Sequence, residues 1–141
     1  MDISAATVSL DTTFRVVLEF DEDGNEKTGF VVVGIDAPQC REEAARQRKA
    51  NFKKRINGGK PTNYYKTAEG QAALDAQSQA DMTDMAIAGT IDWFGFTENG
   101  APKAFDKNVL AAIFAVRASW RDKVYASIED ATNFLPKPVK A

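Results

Sequence analysis

The sequence predicts an α+β fold in which an antiparallel β-hairpin precedes a mainly α-helical remainder of three to four helices. Three observations lead to this prediction. Residues 12–20 alternate between apolar and polar side chains, residues 29–35 form a second run of β-prone residues, and at Asp36 this pattern gives way to helical spacing. Strands followed by helices, without regular alternation of the two, are typical of the α+β class.

The length and composition of the chain predict one domain. It has 141 residues, of which 44% are hydrophobic and 27% are charged, and these values are ordinary for a globular protein. We expect a β-rich part at 1–36 and a helical part at 37–135, together forming a single domain over 1–135. Residues 136–141 contain two prolines and are expected to be a flexible tail.

The strands are predicted from their alternation. The apolar face of the first strand would be Phe14, Val16, Leu18 and Phe20. A polar linker containing Gly24 separates this run from the second, and glycine readily adopts the positive φ of a hairpin turn. Residues 3–10 could supply a third strand, which would help because an isolated hairpin is only marginally stable.

The first helix is predicted to start after Asp36 as N-cap, with Pro38 in the first turn and Gln39 completing a capping box. It should end near residues 57–59, where two glycines occur. Its apolar residues recur at spacings of four or eight, which suggests a narrow core-facing stripe. These residues are Cys40, Ala44, Phe52 and Ile56.

The second helix is predicted to begin after Thr67 as N-cap, to extend to about Ala88 and to stop at Gly89. It is rich in alanine, a strong helix former. An aromatic segment at 91–96 and a turn at 98–102 follow.

The last helical region is predicted to start after Asp106 as N-cap. Ser119, with Asp122 three residues later, is a second possible cap within the same run. Two helices, at about 107–117 and 120–134, are therefore favoured over one long helix.

The residue types present argue against catalysis. The chain has no histidine and one cysteine, Cys40, which excludes a Ser-His-Asp triad, a Cys-His pair and the common zinc sites. Glu42 with Glu43, or Asp81 with Asp84, could be imagined as paired carboxylates, but neither pair has the matching second pair of a di-metal site. We therefore expect no enzymatic activity, no metal and no cofactor.

The segment from Arg41 to Lys66 is strongly basic. It has nine basic and two acidic residues, a net charge of +7 in a chain of net charge −2, so the remainder carries −9. Three interpretations remain open: a surface for an acidic protein partner, a nucleic-acid surface, or a solvated helix face. The candidate binding residues are Arg41, Arg48, Lys49, Lys53 and Arg55.

Three aromatic residues lie close together between the helices, namely Trp93, Phe94 and Phe96. They could pack in the core, as large aromatic residues commonly do. Alternatively, they could be partner-binding anchors, because tryptophan is enriched at the energetic centres of protein interfaces.

Four sequence landmarks in this order resemble those of a known family. They are Val32-Val33-Gly34-Ile35-Asp36-Ala37, Ile91-Asp92-Trp93-Phe94-Gly95-Phe96, the run from Gly100 to Asn108, and Asn133-Phe134. A basic and an acidic helix lie between the first two landmarks. Over residues 12–135 the chain resembles the tail assembly chaperones of long-tailed bacteriophages.

This resemblance implies a non-catalytic protein that coats the tape-measure protein, recruits tail-tube subunits and leaves before the virion is complete. Charge segregation further favours contacts between copies of the chain. Two alternatives are a small nucleic-acid-binding protein that uses the basic segment 41–66 and a structural tail protein retained in the virion.

The expected location is the host-cell cytoplasm, with no membrane as partner. The longest apolar run, Val109 to Val116, is much shorter than the ~20 residues of a membrane-spanning helix. Residues 1–6 also lack the basic region that opens a signal peptide.

Overall fold

The computed structural model describes residues 3, 12–56 and 58–135 and confirms the α+β class. Its strands are β1 (Thr13–Phe20), β2 (Glu26–Val33), β3 (Thr90–Phe94), β4 (Thr97–Glu98) and β5 (Ala101–Pro102). Its α-helices are α1 (Pro38–Ile56), α2 (Ala68–Gly89), α3 (Lys107–Val116) and α4 (Ala118–Glu129). Short 3₁₀ helices occupy Thr62–Lys66 and Ala131–Phe134. The predicted tail at 136–141 lies outside the described residues.

The predicted hairpin is confirmed: β1 pairs antiparallel with β2, and Val16 lies opposite Phe30. Gly24 adopts φ of +82° in the connecting turn. The pairing is irregular between Val17 and Phe20. Such an irregularity shifts which side chains face the core. Val16 is therefore buried while Phe20 is 62% exposed, so the prediction of an inward-facing Phe20 is wrong.

The third described strand of this sheet comes from the middle of the chain. β3 pairs antiparallel with β2, giving the strand order β1-β2-β3. The third strand suggested at residues 3–10 lies, apart from Ile3, outside the described residues, and Ile3 is helical. The short strands β4 and β5 form a separate hairpin through an Asn99-Gly100 turn in which both residues have positive φ, a typical two-residue β-turn.

Two predicted helix caps are confirmed. The Thr67 hydroxyl accepts a hydrogen bond from the Gly70 amide, and the Asp106 carboxylate accepts bonds from the Asn108 and Val109 amides. The capping box at Asp36 is wrong. α1 begins at Pro38, and the Asp36 side chain donates or accepts no hydrogen bond within the described part of the chain. Proline can start this helix because the first helical amide needs no intrahelical partner.

The last helical region is divided into two helices, as predicted, but not by the predicted cap. The break falls at Arg117, whose φ and ψ are non-helical, and Ser119 lies inside the first turn of α4. α4 ends at Glu129 and a 3₁₀ helix continues to Phe134, so the predicted range of 120–134 joined two elements.

The core lies between the sheet and the last two helices. Phe30 and Val32 from β2 are fully buried together with Leu110, Val124 and Ile128 from α3 and α4. α4 packs on β1 and β2, while α2 packs on α3 and α4. Among the described elements, the main packing partner of α1 is α2, so α1 lies at the outside of the fold.

Candidate protein-binding surface

Helices α1 and α2 form an antiparallel helical hairpin, which carries most of the predicted binding residues. Three polar contacts join the helices along their length. Arg46 forms an ion pair with Asp84 at 3.0 Å, Gln47 donates to the Asp81 carbonyl oxygen at 2.9 Å, and Lys54 donates to Gln77 at 2.5 Å. Contact residues that come later in α1 pair with residues that come earlier in α2, so the two helices are antiparallel.

The two helices differ in charge. α2 contains four acidic residues and no basic one, whereas α1 is dominated by basic residues. Of the basic side chains on α1, Arg46 alone forms an ion pair in the described part of the chain, with Glu43 and Asp84. The attraction between the helices therefore uses little of the positive charge on α1.

Only one end of the helical hairpin reaches the core. Cys40 of α1 and Met85, Ala86 and Gly89 of α2 are buried there. A Cβ at Gly89 would lie 2.5 Å from Ile128 and 3.1 Å from the Cys40 sulfur, so glycine permits this close packing. Towards the other end, residues 51–56 are all exposed. That end adds little to the buried core.

The predicted basic residues all lie on the exposed surface of α1. Arg41, Arg48 and Arg55 follow one another at intervals of seven, which keeps them on one side of a helix. Lys49 and Lys53 lie farther round the helix, about 100° and 140° from Arg48. All five side chains are exposed, and none of these side chains forms an ion pair or a hydrogen bond within the described residues.

Two apolar side chains lie among these basic residues. Phe52 is 61% exposed and Ile56 is 65% exposed. They are separated by four positions, so they are neighbours on the helix surface. We call the group Arg48, Lys49, Phe52, Lys53 and Ile56 the outer face of α1.

The exposure of Phe52 and Ile56 corrects the predicted apolar stripe of α1. Each residue of an α-helix turns about 100°, so positions four apart advance by about 40° around the axis. From Cys40 to Ile56 this drift amounts to about 160°. Cys40 consequently faces the core while Ile56 faces away from it. The sequence contained this signal, because repeated spacings of four do not follow one face of a helix.

Trp93 and Phe96 belong to the core region instead of an exposed surface. Trp93 is 7% exposed, and its indole Nε1 donates a hydrogen bond to the Lys103 carbonyl oxygen at 2.8 Å. Its ring lies 5.0 Å from that of Phe96 and 5.2 Å from that of Phe105. Phe96 is partly buried and packs against the same cluster.

Phe94 has a different environment on the sheet. Its ring covers Gly29, where an added Cβ would lie 2.6 Å from the ring, and the Arg15 guanidinium lies 3.8 Å from the ring centroid. This arrangement explains the glycine in a strand and leaves Phe94 half-buried. The structure therefore brings together the basic candidates on α1 but does not place Trp93, Phe94 or Phe96 beside them.

Several side chains that were considered for catalysis or metal binding take part in structural contacts or are buried. Glu43 and Asp84 both bond Arg46, and Asp81 accepts a hydrogen bond from Gln77. Burial raises the pKa of the Cys40 thiol to about 11, so the thiol is protonated and weakly nucleophilic at neutral pH. Within residues 12–56 and 58–135, no group of three or more acidic or cysteine side chains is arranged to hold a metal ion.

No helix in the described portion of the chain combines the length and the apolar character needed to cross a membrane. Comparison of the sequence with protein-family models and with curated proteins, and of the fold with solved structures, found no match.

Proposed function

We propose that this protein is a non-catalytic tail assembly chaperone of a long-tailed bacteriophage. In the host-cell cytoplasm it binds helical segments of the tape-measure protein, recruits tail-tube subunits and leaves before the virion is complete. The sequence landmarks suggest the family, and one structural observation supports a protein-binding role. That observation is the exposed pair Phe52 and Ile56 on the outer face of α1, beside basic side chains that form no ion pair within the described residues.

The outer face has the arrangement of a protein interface. Interfaces usually have an apolar centre, which supplies most of the binding energy, and a polar rim that remains accessible to water. Here Phe52 and Ile56 form the centre, and Arg48, Lys49 and Lys53 form the rim. The chemistry that fits this face is an amphipathic helix with acidic residues beside an apolar stripe.

The proposed partner, the tape-measure protein, needs another protein to cover its apolar surface. A tape-measure protein is long and helical, and its apolar stripes lack cover until the tail tube has formed around it. Many copies of a chaperone, each contributing one modest contact, would cover such a protein and could later be displaced. A small outer face on each copy is therefore sufficient.

Co-expression with the tape-measure protein of the same phage tests this proposal. We expect the tape-measure protein to stay soluble and to co-purify with this chain, because the outer face would cover its apolar stripe. Soluble yield and co-purification are the measurements. Purified virions should lack the chain. If the tape-measure protein remains insoluble and no tail protein co-purifies, the proposal is wrong.

A nucleic-acid-binding function is the second candidate, because five basic side chains on α1 have no ion-pair or hydrogen-bond partner within the described chain. Phosphate binding would need these charges but would leave Phe52 and Ile56 without a role, which favours the protein partner. The two functions differ in salt dependence, since each phosphate contact releases counterions. For a chaperone we expect only weak binding to nucleic acid at physiological salt.

A further inference from the structure

A second surface of the helical hairpin is a groove at the end remote from the core. The end of α1, the 3₁₀ helix Thr62–Lys66 and the start of α2 enclose a volume of about 830 Å³. Its walls include Lys54, Arg55, Lys60, Tyr64, Tyr65 and Leu74. This tip groove lies beside the outer face of α1 but shares none of its five residues.

The tip groove is positively charged and partly apolar. It has three basic side chains, and none of the described residues that line it is acidic. The Lys60 ammonium lies 5.4 Å from the centroid of the Tyr64 ring, and the Tyr64 and Tyr65 rings meet edge to face at 5.3 Å. Leu74 is 46% exposed. An occupant with an aromatic group and flanking carboxylates would match both properties.

The β1–β2 turn of the same chain has this chemistry. Phe20 is 62% exposed and is followed by three exposed acidic residues, Asp21, Glu22 and Asp23. The Asp21 carboxylate accepts hydrogen bonds from the Asp23 and Asn25 amides at 2.9 and 2.8 Å, which holds the turn in shape. The carboxylates of Glu22 and Asp23 have no partner in the described part of the chain.

The turn does not fill the groove of its own molecule, since no turn residue lines it. We propose that the tip groove binds the acidic β1–β2 turn of a second copy of this chain, with Phe20 seated against the tyrosines and Leu74. Glu22 and Asp23 then face Arg55 and Lys60. This contact accounts for an exposed phenylalanine on a strand and for a basic groove.

The expected strength of this contact follows from its size. One turn in one groove covers less area than a stable interface, which buries about 1,200–2,000 Å² in total. The association should therefore be weak, reversible and dependent on protein concentration. Added salt should weaken it further, because exposed charges are screened. Such self-association would let copies bind side by side along a long partner.

Sedimentation velocity of the purified full chain, without any tail protein, tests the proposal. We expect the average mass to rise with protein concentration at low ionic strength and to fall when salt is added. Two double variants should remain monomeric under the same conditions: Arg55→Glu with Lys60→Glu in the groove, and Glu22→Lys with Asp23→Lys in the turn. Mixing these two variants should restore association, because each supplies the surface that the other has lost.

Control variants change charge equally at other exposed positions. Arg48→Glu with Lys49→Glu matches the groove variant, and Asp36→Lys with Glu42→Lys matches the turn variant. Both should associate like the wild type. The proposal is overturned if the wild type stays monomeric, if the groove or turn variant still associates, or if mixing fails to restore association. Monomeric protein that binds a single-stranded oligonucleotide through Arg55 and Lys60 would instead identify a nucleic-acid site.

This experiment is independent of the proposed chaperone function, because it uses the protein alone and the tip groove instead of the outer face. Loss of self-association with intact tape-measure binding would reject the present inference only. Loss of tape-measure binding with intact self-association would reject the proposed function only.

Discussion

Replacing Trp93 by alanine should lower the free energy of unfolding by about 3–5 kcal/mol, the usual cost of removing a large buried aromatic side chain. Trp93 is 7% exposed and contacts Phe96 and Phe105. The substitution leaves a cavity between these rings and removes the hydrogen bond to the Lys103 carbonyl oxygen. Urea denaturation followed by circular dichroism measures the loss.

Trp93→Phe is the matched control, because it keeps an aromatic ring and removes the hydrogen-bond donor. It should cost less than the alanine substitution. A Trp93→Ala protein that is as stable as the wild type but loses binding to its partner would show instead that the tryptophan is an exposed anchor.

Replacing Phe52 and Ile56 together by serine should weaken binding of the tape-measure protein by at least about 2 kcal/mol, or roughly 30-fold. These side chains form the apolar centre of the outer face, and serine removes their apolar surface while leaving the basic rim. Both are more than half exposed, so the change in folding stability should stay within about 0.5 kcal/mol. Titration calorimetry against a soluble tape-measure fragment measures the affinity.

Val116→Ser is the control for this pair. Val116 is an aliphatic side chain that is 79% exposed on α3, away from the outer face. Its substitution should leave the affinity unchanged. Equal loss of affinity in both variants would show that binding follows general surface hydrophobicity instead of the outer face.

Much of the fold could be predicted because its signals are local. Alternating side chains predicted the β1–β2 hairpin, and the capping roles of Thr67 and Asp106 depend on amides two or three residues away. Such information is contained within short windows of sequence.

Other features depend on contacts that a short window does not contain. β3 joins β2 although nearly sixty residues separate them, so its place in the sheet depends on tertiary packing. The irregular pairing near Phe20 likewise results from how β1 meets β2, and it turns outward a residue whose alternation indicated burial.

The candidate surface was predicted in part. The clustering of basic residues in the sequence indicated the charged side of α1, since charge depends on composition alone. The drift of positions four apart already indicated that Phe52 and Ile56 do not share the face of Cys40, but the prediction assigned them to the core, as is usual for apolar residues in a helix. Whether these side chains are covered depends on which elements pack over that part of α1, and a short window of sequence does not contain this information.

Amide hydrogen exchange of this protein, alone and in complex with the tape-measure protein, most directly tests the claim that the outer face of α1 binds the partner. Residues 48–56 lie at the exposed end of α1, where local opening should be easy in the free protein. Binding at the outer face should slow exchange across 48–56 and leave β1 and β2 unchanged. Unchanged exchange at 48–56, with slowing confined to the sheet or to α3, would contradict the claim.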